Sequence, residues 1–232
     1  MHQVKYGTQV IAFSLQQVPR KTLAIEVHPD GSVHVIAPAK ATQVQIEEKV
    51  LKRARWIKKQ QEYFQQFLPT TPKREYVSGE THFYAGKRYI LKILLGKQES
   101  VKLKGGVLLI QTKNPSKDKI KALLASWYYK QAKQTSNRVF QKAINKFKEV
   151  PQTPDSVELK RMKKRWGTCT PENKIAINPE LIKAASMCME YVMVHELCHI
   201  QIPNHSKEFY KLLEEKMPDY KKWKLKLEQT MA

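Results

Sequence analysis

Apolar and polar residues alternate at Leu23, Ile25 and Val27 and again at Val33 and Val35, on either side of Pro29-Asp30-Gly31. Alternation with period two marks a half-buried strand, and Pro-Asp-Gly supplies turn chemistry, so residues 22–35 predict a β-hairpin. The period then changes. Ile46, Val50, Ile57, Phe64 and Phe67 recur at multiples of the helical repeat, and the run stops at Leu68-Pro69-Thr70-Thr71-Pro72, which predicts one amphipathic helix. Residues 81–111 read as short strands broken at Ala85-Gly86, Gly96-Lys97 and Gly105-Gly106, a small antiparallel meander.

Beyond the meander, Ser116 can cap a long helix whose apolar positions Ile120, Leu124, Trp127, Tyr128, Val139, Ala143 and Phe147 persist until Pro151. A loop at Pro151-Gln152-Thr153-Pro154-Asp155 precedes a strand ending near Trp166, a turn at Pro171-Glu172-Asn173 and a strand holding Ile175 and Ile177. Helices follow near 180–201, 206–217 and 219–229, separated by Pro203-Asn204 and by Pro218. No internal repeat or low-complexity tract is visible. The plan is α+β, divided into a β-rich N-terminal region with one long helix, 1–112, and a remainder, 113–232, that mixes long helices with one hairpin.

Length and composition narrow the class. The chain has 232 residues, of which 41% are hydrophobic, enough for a buried core and against global disorder. No apolar stretch is long enough to cross a bilayer, and Met-His-Gln-Val-Lys-Tyr-Gly lacks the layout of a secretion signal. Cys169, Cys188 and Cys198 are odd in number and form no CxxC pair, which speaks against a disulfide framework and for reduced thiols. The expectation is a soluble, cytoplasmic protein without a membrane partner. A formal net charge of +21 is spread along the chain and attracts polyanions: nucleic acid, nucleotides, acidic proteins or anionic lipid.

Chemistry concentrates in Tyr191-Val192-Met193-Val194-His195-Glu196-Leu197-Cys198-His199-Ile200, a His-Glu-x-x-His inside an apolar helical run. Four residues on a helix bring His195 and His199 to one face, one turn apart, where both imidazoles can bind a single ion. Glu196 is not needed as a ligand, and beside the ion its carboxylate can take a proton from bound water. Imidazole nitrogen suits Zn²⁺ best, with manganese, cobalt and nickel also compatible by ligand type. Two imidazoles and a carboxylate among Val192, Val194, Leu197 and Ile200 would be costly to bury with nothing to satisfy them.

A catalytic zinc takes three protein ligands and leaves one position open. Pro203-Asn204 should stop the helix and let the chain bring back His205, with Ser206 capping the next helix. Glu190, Glu208 and Glu214 are rivals for that third position, since some zinc hydrolases use Glu there. Cys198 points away from the paired histidines and reads as packing. His2, His28, His34 and His82 have no partner at ligand spacing and read as surface or half-buried residues.

The run Arg161-Met162-Lys163-Lys164-Arg165-Trp166-Gly167-Thr168-Cys169, then Ile175-Ala176-Ile177-Asn178, His195-Glu196-Leu197-Cys198-His199 and Asn204-His205-Ser206, resembles the YgjP-like metal-dependent hydrolases, relatives of the zincin metallopeptidases. The Pro29-Asp30-Gly31 hairpin, Arg55-Trp56-Ile57 and the Gly79–Leu91 segment extend the likeness upstream. The resemblance implies a zincin-like catalytic domain with His195, His199 and His205 as zinc ligands and Glu196 as acid/base. Ile202-Pro203 stands where the metzincin spacing has Gly, so that group's details do not transfer.

In such a fold the strand before the metal helix runs along the cleft. Gly167 would there allow close approach of a substrate backbone or phosphate, and Arg165 and Lys164 would meet an anion. Trp166 either stacks a base or apolar side chain or is a core tryptophan. Arg165, Trp166 and Gly167 are thus the candidate substrate-binding residues.

Three activities follow as expectations. The first is a zinc hydrolase of metallopeptidase type, in which zinc-bound water activated by Glu196 attacks a peptide-like carbonyl. The second is a UTP pyrophosphohydrolase, a label that members of the family carry, although Mg²⁺-dependent phosphoryl chemistry normally needs clustered carboxylates and the acidic residues here are scattered. The third is a protease associated with nucleic acid, gripping phosphates with the Lys-rich face from Lys130 to Lys148.

Overall fold

Two separate apolar sets build two units, Met1–Pro72 and Lys73–Met231. A computed structural model describes residues 1–28, 30–65, 74–150, 153–163 and 165–231. In the first unit β1 (His2–Tyr6), β2 (Gln9–Val18), β3 (Ala24–Val27) and β4 (Val33–Pro38) form a sheet ordered β1-β2-β4-β3, in which β2 and β4 run parallel. The expected hairpin is β3 against β4, with Ile25 opposite Val35. Val4, Ile11, Phe13, Val33 and Val35 face the helices, where Ile46, Val50, Ala54 and Ile57 close the core.

Those helical residues belong to two helices rather than to the single one expected. Helix α1 (Gln43–Lys52) ends at Arg53, whose backbone (φ −103°, ψ 3°) leaves helical geometry, and α2 (Ala54–Gln65) restarts immediately. The apolar spacing survives this break because the Arg53 N–H turns back to Val50 O at 3.0 Å and the Ile57 N–H bonds Arg53 O at 2.9 Å. Periodicity reports which residues face the core and is blind to one tight turn between them. A capping box starts α1: Thr42 Oγ1 accepts from the Gln45 N–H, while Gln45 Oε1 accepts from the Thr42 N–H at 3.0 Å. Phe67 and the Leu68–Pro72 stop lie outside the described residues.

The second unit opens with β5 (Thr81–Tyr84), β6 (Lys87–Leu95), β7 (Ser100–Lys104) and β8 (Val107–Thr112), ordered β5-β6-β8-β7. This is not the expected meander, since β6 and β8 are parallel neighbours and β7 lies outside them. Turn residues predict the hairpins β5-β6 and β7-β8 correctly. The pairing of β6 with β8 comes instead from burial, which sets Leu91, Leu108 and Ile110 side by side at the centre. Both four-stranded sheets have the same strand order and a helix next, a repeat of topology that residue identities do not reveal.

Helix α3 (Lys117–Ile144) lays Ile120, Leu124, Tyr128, Ala132, Val139 and Phe140 on the core and turns its lysines outward. The same cluster contains Leu91, Leu108 and Ile110, so the sheet of residues 81–112 shares its core with α3. The compact units accordingly divide at Pro72, and the boundary expected at 112 falls inside the second. Three short strands follow: β9 (Val157–Leu159), β10 (Gly167–Cys169) and β11 (Ile175–Ile177), with β11 between the other two. The strand expected to end near Trp166 stops at Leu159, and Trp166 lies in the connection that leads to β10.

A 3₁₀ segment (Pro179–Lys183) leads to α4 (Ser186–Gln201), α5 (Lys207–Lys216) and α6 (Tyr220–Met231). Helix α4 is buried on almost every side, from Cys188 through Val194 and at Leu197 and Cys198, as its lack of a polar face requires. Among the described residues no helix is long and apolar enough to cross a membrane.

The start of α4 is held by the β5-β6 turn, where the Ala85 N–H bonds Ile182 O at 2.8 Å and the Gly86 N–H bonds Lys183 O at 3.0 Å. Gly86 has φ +77°, and a Cβ there would sit 3.1 Å from Ala185, the residue that begins α4. Replacement Gly86→Ala therefore meets both a left-handed backbone and a contact that must yield, and should destabilise the chain by about 1–2 kcal/mol in denaturant titration.

Candidate metal centre and its cleft

The residues of α4 reach their positions by helical spacing alone. His195 and His199 stand one turn apart with ring centroids 5.0 Å from each other. The helix stops at Ile202, whose N–H bonds Cys198 O at 3.0 Å, and Pro203 follows. The reversed chain then places His205 Nε2 3.0 Å from His195 Nε2. Ser206 caps α5 as expected, its Oγ accepting from the Phe209 N–H at 3.4 Å. One ligand nitrogen from each of His195, His199 and His205 lies within 4.8 Å of the others, the one such group of His, Cys, Asp or Glu among the described residues. The rival carboxylates are elsewhere: Glu190 pairs with Lys146 at 2.7 Å and Glu214 with Lys221 at 3.2 Å, while exposed Glu208 is not in the group.

These side chains suit a divalent ion. His199 Nδ1 lies 3.1 Å from Ile202 O, a contact that requires the proton on Nδ1 and leaves the Nε2 lone pair free. Burial, followed by the neighbouring His199 and His205, drives the His195 pKa down to about 3, so its ring is neutral at any ordinary pH. Burial also lowers that of His205. Neutral imidazoles are the form that coordinates, and ligands on a tetrahedral zinc stand about 3.3 Å apart, within the range seen here. Phe209 packs on all three rings at 4.6–5.0 Å and fixes their orientation. Tyr191 sits edge-on to His195 at 6.0 Å. His195 Nδ1 is buried without a hydrogen-bond partner among the described residues, so packing rather than a second hydrogen bond holds that ring.

Glu196 is buried against β10. Removal from water raises its pKa to about 7, partly opposed by Arg165 and by the Cys169 backbone N–H. That value balances proton acceptance against release near neutrality. Gly167, the residue expected to face substrate, lines the cavity and also lies against Glu196. Gly167 is buried, and a Cβ on it would lie 2.6 Å from Glu196 Oε1 and 2.8 Å from Val192 Cγ1. The missing side chain lets the helix and its carboxylate press onto the strand.

Arg165, Trp166, Gly167, His195, Glu196, His199 and His205 line one cavity of about 810 Å³, so all the candidate residues come together. Arg165 is exposed at its edge, and Trp166 is half-buried, packing against the core with one side. The basic neighbour Lys164 lies outside the described residues. Cys198 is fully buried with its thiol pushed up to about 12 by desolvation, the packing role expected of it. His82 is more buried than expected, 3.6 Å from Glu80 and away from this cavity.

Residue patterns missed two contributors. Phe209 reads as an ordinary apolar helix position, although its place one turn after His205 was a signal. Asn178 is a buried tie: its N–H bonds Trp166 O and its Nδ2 bonds Met162 O, both at 2.8 Å, which holds the segment carrying Arg165 and Trp166. An Asn directly before Pro179 hints only at a turn.

With the geometry in view, the comparisons decide the family. The YgjP-like, metallopeptidase domain matches residues 21–230. The chain belongs to the YgjP-like metallopeptidase family. Membership makes it a metal-dependent hydrolase and implies a divalent metal, typically zinc. Among solved structures it is similar to the metallopeptidase zymogen of Pyrococcus abyssi abylysin, at 19% identity and a TM-score of 0.34, covering 41% of this chain and 97% of that one. That likeness is too remote to transfer any detail. No curated protein matches the chain.

Because Glu196 rests on Gly167, Gly167→Ala should move the carboxylate without touching a histidine. Hydrolytic activity is expected to fall about 100-fold, as misplacement of a reacting group by about 1 Å can do, while metal content measured by atomic emission stays at the parent level.

Proposed function

We propose that this YgjP-like protein is a zinc-dependent hydrolase of metallopeptidase type with a zincin-like catalytic region, cleaving a peptide-like carbonyl. The observation that carries the reading is the convergence of His195, His199 and His205 beside a buried carboxylate whose pKa is raised to about 7. His195, His199 and His205 are the proposed ligands and Glu196 the proposed general base. When bound, a zinc ion supplies Lewis-acid polarisation of the carbonyl and stabilises negative charge on its oxygen. Glu196 takes a proton from the attacking water and returns it to the departing amine. Gly167 holds that carboxylate at the strand, and Trp166 and the guanidinium of Arg165, which line the same cavity, bind the substrate beside it.

The donor set favours this over phosphoanhydride cleavage. Three imidazoles suit zinc, whereas nucleotide hydrolysis with Mg²⁺ relies on grouped carboxylates, and no such group of three occurs among the described residues.

Glu196→Gln should retain stoichiometric zinc and lose peptide hydrolysis by a factor of about 1,000 or more, whereas His195→Ala should lose the metal itself. Full metal occupancy in His195→Ala would overturn the ligand assignment. Release of pyrophosphate from UTP by the parent protein, abolished in Glu196→Gln with peptides left untouched, would replace the peptidase reading.

A further inference from the structure

The first unit holds a second cavity, of about 820 Å³, lined by residues of the 21–25 segment, Pro38, Ala41, α1, Arg53 and Trp56. Its floor is apolar, formed by Leu23, Ile25 and Ile46. Around it stand Lys21, Lys49, Lys52 and Arg53 against a single acid, Glu48, and none of those four cations is ion-paired among the described residues. Trp56, a ring large enough to anchor a partner, remains 40% exposed at one end. One wall is β3, the last strand of its sheet, which has no neighbour on its outer side among the described residues.

We propose that this groove binds an extended acidic peptide segment laid along the free edge of β3. Each feature answers one part of such a ligand. An edge strand presents unpaired backbone N–H and C=O groups that an added strand completes. Every second side chain of that strand faces α1, so this one set would supply both an apolar residue for the floor and Trp56 and carboxylates for the lysines and Arg53. The cations confer selectivity for negative charge and speed the encounter. A second copy of this chain is disfavoured as the occupant because each carries a net charge of +21. Nucleic acid matches the cations but not the rest, since a phosphodiester chain cannot complete a sheet edge and gains little from an aliphatic floor. The inference rests on the first unit alone and is independent of the metal centre.

Fluorescence anisotropy of the full chain with a labelled peptide of about ten residues, with Leu and Glu taking turns at every second position and Ser between them, tests it. Saturable binding is expected, weakened roughly tenfold in Lys21→Glu/Lys52→Glu and in Trp56→Ala, with both variants melting like the parent. Hydrogen exchange at backbone amides of Ala24–Val27 should slow when the peptide is present. Unchanged affinity in the lysine variant, equal binding of the same peptide with Lys in place of Glu, or unaltered exchange along β3 would overturn the proposal. So would tighter binding of single-stranded oligothymidylate lost in these variants, which would assign the groove to nucleic acid, or self-association that the variants abolish.

Discussion

Polar groups on a helix surrounded by core are the constraint that the second unit answers. Helix α4 buries residues around nearly its whole circumference, yet it carries His195, Glu196 and His199 on the side toward β10 and α5. An uncompensated charge there would be costly, and the surroundings lower that cost by keeping the His195 imidazole neutral and allowing the Glu196 carboxyl to protonate. Burial is the largest cause of the shifts at both His195 and Glu196, and it acts on them in opposite chemical senses. One dry environment thereby yields a neutral nitrogen donor at His195 and a carboxylate of near-neutral pKa at the adjacent Glu196.

That environment is assembled by elements distant in sequence. Gly167 admits the Glu196 side chain, and Phe209 orients three rings at once. The carbonyl of Ile202, freed where the helix ends, fixes the tautomer of His199. The stop at Pro203 thus serves two ends, returning the chain to bring His205 close and exposing the carbonyl that His199 uses. Farther out, the β5-β6 turn holds the beginning of α4 through Ile182 and Lys183, so the four-stranded sheet takes part in placing the helix.

The two units repeat one strand order and put it to different ends. In the second, the sheet joins the core beneath α3. In the first, the sheet closes its own core with α1 and α2, and the outer edge of β3, without a neighbouring strand among the described residues, lies beside a cation-rimmed groove. Part of the high positive charge thus has a definite location, with apolar surface and an open strand edge beside it.

The sequence by itself determined the local elements and the chemically unusual helix. Alternation marked β3 and β4, the glycines of Ala85-Gly86 and Gly105-Gly106 marked two hairpin turns, and His-Glu-x-x-His with Pro203 and His205 pointed to the metal group, because these signals depend on spacing within a few residues. Tertiary structure alone decided the parallel pairing of β2 with β4 and of β6 with β8, and the unit boundary at Pro72 rather than at 112. It also decided that Gly167 serves Glu196 and that Phe209 lies beneath the histidines. Each of these depends on which distant residues share a buried volume, and periodicity along a chain carries no record of the partner across the gap.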